Sequence, residues 1–312
     1  MNRFLRENLT KCRLCPRDCG VDRTARLGSC KAGAEVKIAR AALHFWEEPS
    51  ISGANGSGTV FFSHCTLGCV FCQNREISHG GKGQTVSVAR LAEIFLELQE
   101  QGAHNINLVT PTHYAVQIIE ALTLARQNGL MLPVVYNCGG YEKVETIQLL
   151  APYVDIWLPD FKYAQARLGT KYSAAPNYPD VALAAIVEML ICAGPPILDN
   201  DGLLRRGVLV RHLLLPGQLA DSIQAVTLLY DHFGDNIMLS LMSQYTPPES
   251  PGEDFSTRCP ELTRRINPRH YEALVDYAAG LGISRCYIQD NAAADSEFIP
   301  AFDLSGVSAP RG

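Results

Sequence analysis

From residue 59 onward the chain repeats one phrase, a short apolar run followed by a longer stretch of helical period. Runs at residues 59–63, 105–109, 133–136, 154–158, 208–215 and 237–242 precede amphipathic stretches at 88–101, 114–128, 142–150, 181–192, 219–232 and 268–280. Short β-favouring runs read as strands, and apolar residues spaced three and four apart read as helices. About six such units predict an α/β protein with a parallel sheet and right-handed crossovers. A last run at 285–289 would close one edge. Periodicity alone leaves two architectures open, an incomplete barrel and a doubly wound sheet, because both bury parallel strands.

The strand ends favour the barrel. Chemistry collects at the carboxyl ends of parallel strands, and here those ends carry His64-Cys65, Thr110-Pro111-Thr112-His113, Asn137-Cys138-Gly139-Gly140, Asp160-Phe161-Lys162, Arg211-His212 and Ser243-Gln244-Tyr245. Any one of these reads as an ordinary loop or capping residue. Together they describe a polar bowl. Asp160 and Lys162 lie two apart, so on extended backbone they share a face and can orient a polar ligand. The fold expected is a partial (β/α)6 TIM-like barrel over residues 55–295. It is preceded by a small N-terminal Cys-rich subdomain at 1–50 and followed by a C-terminal tail at 296–312.

The 312 residues carry a net charge of −5, without the basic footprint that nucleic-acid binding needs. The N-terminus has no apolar leader, and no run approaches the length of a membrane span. The expectation is a cytoplasmic protein that binds neither nucleic acid nor membrane. Eleven cysteines are many for a reducing compartment, where disulfides are rare and clustered thiols serve metals or catalysis.

The decisive cluster is Cys65-Thr66-Leu67-Gly68-Cys69-Val70-Phe71-Cys72. Three thiolates on a loop leaving a strand can wrap a cubane [4Fe–4S] cluster and ligate three of its irons. The fourth iron then stays open. Structural zinc and closed clusters take four protein ligands, so a three-ligand loop at a strand end points to reactivity. The alternatives are zinc completed by His64 or His79, and cysteines buried as small hydrophobes.

This C-x-x-x-C-x-x-C loop, with aromatic Phe71 before its last cysteine, resembles the signature of the radical SAM superfamily, and the chain is similar to the activating enzymes of glycyl-radical enzymes. The resemblance implies that the open iron chelates S-adenosylmethionine. One electron from a flavodoxin or ferredoxin-type donor would then release a 5′-deoxyadenosyl radical that abstracts hydrogen, from a protein or peptide in the activase case. It also implies cofactor contacts at Phe71, at Asp160 and Lys162 in a D-x-K pattern, at Asn137, and at Arg211 and His212 before Pro216-Gly217. The second strand of the family ends in Gly-Gly-Glu where this chain has Thr110-Pro111-Thr112-His113, so Thr110 and Thr112 are the expected substitutes. A small-molecule substrate and a non-catalytic iron–sulfur or zinc scaffold are the competing readings.

A second group, Cys12, Cys15, Cys19 and Cys30, supplies four ligands, enough for zinc or a second iron–sulfur cluster. Its position ahead of the three-cysteine loop resembles a loosely defined subgroup of pyruvate formate-lyase activase homologues. Cys192 and Cys286 sit in apolar stretches and read as core. Cys138 reads as a packed thiol at a strand end facing the bowl. His113 and His212 are acid/base or substrate contacts, or structural histidines. The glycine-rich stretches at 53–58 and 80–83 lack the Lys-Ser/Thr of a phosphate loop.

Overall fold

The structure, a computed structural model, describes residues 3–248, 253–289 and 300–309, with the side chains of residues 3–6 outside the description. Parts of the expected barrel end and tail, at 290–299 and 310–312, therefore lie outside the described residues. The elements run in the order α1 (Arg3–Thr10), β1 (Val36–His44), α2 (Pro49–Ser52), β2 (Ser57–Phe62), α3 (Arg75–Ser78), β3 (Gln84–Val86), α4 (Val88–Glu100), β4 (Ile106–Val109), α5 (Ala115–Gln127), β5 (Val134–Cys138) and α6 (Val144–Leu150). Then follow β6 (Ile156–Pro159), α7 (Ala166–Ser173), α8 (Tyr178–Ala193), β7 (Ile197–Leu198), β8 (Leu204–Leu213), α9 (Leu219–Phe233), β9 (Met238–Met242), α10 (Glu253–Arg258), α11 (Pro268–Gly280) and β10 (Cys286–Ile288).

One sheet joins these strands in the order β10-β9-β8-β6-β5-β4-β2-β1-β3, with β7 paired onto β8. From β2 to β10 every neighbour is parallel. Along this parallel run the strand order never reverses, so there is no topological switch point of the doubly wound kind. Crossovers that always advance the same way stack their helices on one face. The other face must curl on itself to leave water.

The two faces are read from side-chain alternation along the strands. Tyr136, Trp157, Val208, Val210, Leu239 and Leu241 pack with Ile118, Ile147, Ile186, Val226 and Leu274 of the surrounding helices. Val135, Ile156, Leu158, Leu209 and Met238 face inward and pack on Ile51. Ile51 belongs to the single turn α2, started by Pro49, and is fully buried. Removing such a side chain from water contributes about 1.5–3 kcal/mol. The Ile51 carbonyl accepts a hydrogen bond from Asn105 Nδ2 at 2.7 Å, just before β4. A Cβ on neighbouring Gly53, at φ +49°, would lie 2.6 Å from Leu203 and 2.8 Å from His104. Thus α2 stoppers the interior near the amino ends of the strands.

Two strands depart from the sequence expectation. Within the segment read as a separate Cys-rich unit, β1 pairs antiparallel with β2 across the expected 50–55 boundary, and β3 pairs with β1. Lys37 and Arg40 interrupt the apolar alternation of β1, and its place comes from tertiary pairing. The far end of the chain also lies on β1. Ala41 N–H donates to Ser305 O and Leu304 N–H to Ala39 O, while Phe302 and Val307 are buried. Among the described residues, no single helix is long and apolar enough to cross a membrane.

Candidate active site

A cavity of about 240 Å³ opens at the carboxyl ends of the parallel strands. Its wall includes all three thiol residues, Cys65, Cys69 and Cys72, with Phe71, Thr110, Asn137, Asp160, Lys162 and Arg211. The turn from β2 into the thiol loop places His64 at φ +74°, and Thr110 after β4 lies at φ +59°. For a β-branched residue such as Thr110 this is a strained conformation, of the sort structures retain where a site requires it.

The loop is held from several sides. Cys65 Sγ accepts from Leu67 N–H at 3.4 Å, and Cys72 Sγ from the Ser78 hydroxyl at 3.3 Å. Cys69 Sγ lies 2.9 Å from Ser173 Oγ, which in turn lies 2.7 Å from the Tyr163 hydroxyl. Phe71 meets Tyr163, Tyr172 and Tyr245 edge to face, at centroid distances of 6.5, 6.3 and 6.4 Å. Such pairs contribute about 0.5–1.5 kcal/mol each beyond area burial. Burial, followed by the neighbouring Cys69 and Cys72, pushes the Cys65 thiol up, while Lys162 opposes the shift. A cation bound among the sulfurs would reverse that bias, since metals take thiolates. Among the described residues, no three His, Cys, Asp or Glu side chains converge on one point as ligands of a single ion.

Opposite the thiols runs a chain of charge. Lys162 Nζ donates to Asp160 Oδ2 at 2.5 Å, and Arg211 Nε to Asp160 Oδ1 at 3.0 Å. Arg211 also donates to Asn137 Oδ1 at 2.5 Å and to Glu47 Oε2 at 3.2 Å. Glu47 Oε1 accepts from Asn107 at 3.1 Å and Asn137 at 3.3 Å. Burial alone would raise the Asp160 carboxyl, but Lys162 and Arg211 together hold it below the usual range. For Glu47 burial prevails and raises the carboxyl, with Arg211 opposing. The Tyr178 hydroxyl braces this wall, lying 2.9 Å from Gly139 O and 2.8 Å from Asp160 O while accepting from Lys162 N–H.

Six of the eight cofactor contacts expected from the sequence thus meet in one cavity: Phe71, Thr110, Asn137, Asp160, Lys162 and Arg211. The other two are turned away. Thr112 donates to Glu142 Oε1 at 2.8 Å in a buried turn. His212, next to Arg211 on β8, projects to the opposite face, where Nδ1 meets Phe161 O at 2.7 Å. His113 is likewise buried, with Nε2 on Ser63 O. Cys138 borders the cavity, but its thiol bonds toward Glu142. Glu47, together with His44 and Trp46 of the cavity wall, was not anticipated. Its sequence signal is faint, a Glu47-Glu48 pair ahead of Pro49.

Fold and cavity together define a curled parallel α/β sheet whose carboxyl end presents three thiols facing a charged, ligand-sized wall. Residues 59–185 match the model of the Radical SAM superfamily. A domain of that superfamily implies cleavage of S-adenosylmethionine at an iron–sulfur cluster.

The chain is 27% identical over 286 residues to the uncharacterized protein MJ0674 of Methanocaldococcus jannaschii, covering 88% of this chain and 76% of the relative. It also shares its fold with Streptococcus suis SuiB, solved bound to the precursor peptide SuiA, at 12% identity and a TM-score of 0.50. That match covers 72% of this chain and 46% of SuiB, so the chain spans less than half of that protein. The structure of native anSMEcpe with bound AdoMet matches at 9% identity and a TM-score of 0.47, covering 73% and 61%.

Proposed function

We propose that the chain is a radical SAM enzyme in which Cys65, Cys69 and Cys72 hold a [4Fe–4S] cluster and the cavity holds S-adenosylmethionine. The observation that carries this reading is that three thiols of one loop share a cavity with the Lys162–Asp160–Arg211–Glu47 chain. The donor set fits the cluster, because three sulfurs without a fourth protein ligand leave one iron for a substrate. When bound, the cluster and S-adenosylmethionine supply a 5′-deoxyadenosyl radical.

The protein's own residues position and shield. Phe71 and its tyrosines pack behind the thiol loop. Asp160 and Glu47 offer carboxylates, Lys162 and Arg211 cations, and Thr110 and Asn137 neutral donors and acceptors. This mixture suits a zwitterionic amino acid joined to a ribose. Each charge is already paired, which keeps the wall in place before ligand arrives and lowers the ordering cost of binding. In this reading a protein or peptide residue gives up the hydrogen, as in the glycyl-radical activases. Trp46, half exposed in the cavity wall beside Glu47, gives the mouth an apolar edge suited to a polypeptide.

The test is anaerobic reconstitution with iron and sulfide, then dithionite and S-adenosylmethionine. Release of 5′-deoxyadenosine, increased by added peptide substrate, is expected. A fully loaded cluster whose EPR signal ignores S-adenosylmethionine, with no nucleoside released, would instead mark a non-catalytic scaffold.

A further inference from the structure

We propose that Cys12, Cys15, Cys19 and Cys30 form a second metal centre, a four-thiolate site that pins the N-terminal loop onto the loop of residues 65–72. All four are free thiols. The backbone folds them together: Cys12 N–H donates to Val21 O at 3.0 Å and Gly20 N–H to Cys12 O at 2.9 Å, Asp18 N–H to Cys15 O at 3.1 Å, and Gly28 N–H to Ala32 O at 3.0 Å. The chain bends sharply around these thiols, with Asp18 at φ +42°, Gly20 at +61° and Lys31 at +65° beside Cys19 and Cys30.

The sulfurs are neighbours. The backbone pairing of Cys12 with Gly20 and Val21 sets it beside Cys19. A Cβ on Gly28 would stand 3.3 Å from Cys30 Sγ and 3.6 Å from Cys19 Sγ, so glycine leaves open the space beside both. Metal binding has to draw the four inward onto common bonds. Four soft thiolates in that space select zinc or an iron–sulfur cluster over hard cations.

The loop closed by these thiols carries the residues that clamp it to the barrel. Arg17, between Cys15 and Cys19, donates from Nε to Thr66 O at 3.0 Å, inside the catalytic loop, and from its two terminal nitrogens to Ala174 O and Ser173 O at 2.5 and 3.0 Å. Its guanidinium lies over the Tyr141 ring. Arg23 reaches the carbonyls of His113 and Gly33. Leu14 O accepts from Thr146 at 2.9 Å, and Lys143 pairs with Asp18 at 2.7 Å. Such a loop has little core of its own, which is where a structural metal supplies folding free energy.

The test uses the full chain in the Cys65→Ala/Cys69→Ala/Cys72→Ala background, purified anaerobically after growth with iron and zinc. That background lacks the thiols of the proposed catalytic cluster, so the result is independent of that reading. About one zinc or about four irons per chain are expected, falling at least fivefold on adding Cys12→Ser or Cys30→Ser and severalfold with Gly28→Ala. Less than about 0.2 equivalents in the background, or content indifferent to Cys30→Ser, overturns the proposal. Because serine variants can misfold, alkylation of the parent chain is mapped by mass spectrometry before and after chelation. The four thiols should become reactive together, about tenfold faster once stripped. An unchanged rate at Cys19 also overturns the proposal.

Discussion

Asp160 and Arg211 are joined twice, once through the backbone as a parallel bridge that extends the pairing of β6 and β8, and again through Arg211 Nε on Asp160 Oδ1 at 3.0 Å. The sheet's own register therefore sets the position of the central ion pair of the cavity. Arg211 then spreads its remaining donors to Asn137 and Glu47. Only a planar fork reaches three acceptors in this way.

Arg211→Lys keeps the charge and loses the fork. The expected outcome is a Kd for S-adenosylmethionine raised about 10–100-fold, roughly 1.4–2.8 kcal/mol, with iron content unchanged. Titration calorimetry and metal analysis on the same sample check both halves. Unaltered affinity would remove Arg211 from the binding wall.

Substituting any one of Cys65, Cys69 or Cys72 by Ala is expected to cut loop-bound iron severalfold and 5′-deoxyadenosine release at least about 100-fold, because two thiolates cannot hold the cluster. Iron quantitation and chromatography of the nucleoside read this directly. Retention of both iron and activity in the Cys69→Ala variant would refute the assignment.

Glu142 gives a pH signature. Burial raises its carboxyl to about 8, opposed by hydrogen bonds from Thr112, Tyr136 and Cys138. The folded state thus holds a proton that the unfolded chain releases near pH 4.5. Its stabilising contribution is complete below that pH and is lost as pH rises toward 8. Glu142→Gln, which is neutral throughout, should flatten the fall in Tm between pH 5 and 8 by about 5 °C. Parallel Tm profiles for parent and variant would contradict this.

Gly140 stands at φ +77°, and a Cβ there would fall 2.1 Å from Asp160 O. Gly140→Ala must therefore displace the strand end carrying Asp160. A loss of about 2 kcal/mol or more in urea unfolding is expected, together with weakened S-adenosylmethionine binding.

Much of this fold is legible in the sequence because buried parallel strands and their helices carry strong periods. The stretch at 268–280 coincides with α11, where Asn267 caps the helix and Pro268 starts it. Strand β1 was hidden, since its alternation is broken by Lys37 and Arg40 and its partners lie beyond a loop. Within the site, strand alternation separates Arg211 from His212, because successive residues face opposite sides. Thr112 sits past the strand in a 3-10 turn, where alternation says nothing. Glu47 reaches the cavity from an irregular segment between β1 and α2, and no local pattern marks such a residue.

The turn α2 has a temporal consequence. With Ile51 filling the interior near the amino ends of the strands, traffic through the cavity runs by way of its carboxyl-end mouth. Whatever settles deepest must arrive first and depart last. In the proposed reaction S-adenosylmethionine takes the deeper seat, so a polypeptide docking at Trp46 would trap it. The spent nucleoside would leave only after the polypeptide has gone, which makes the order of binding and release a property of the stoppered cavity.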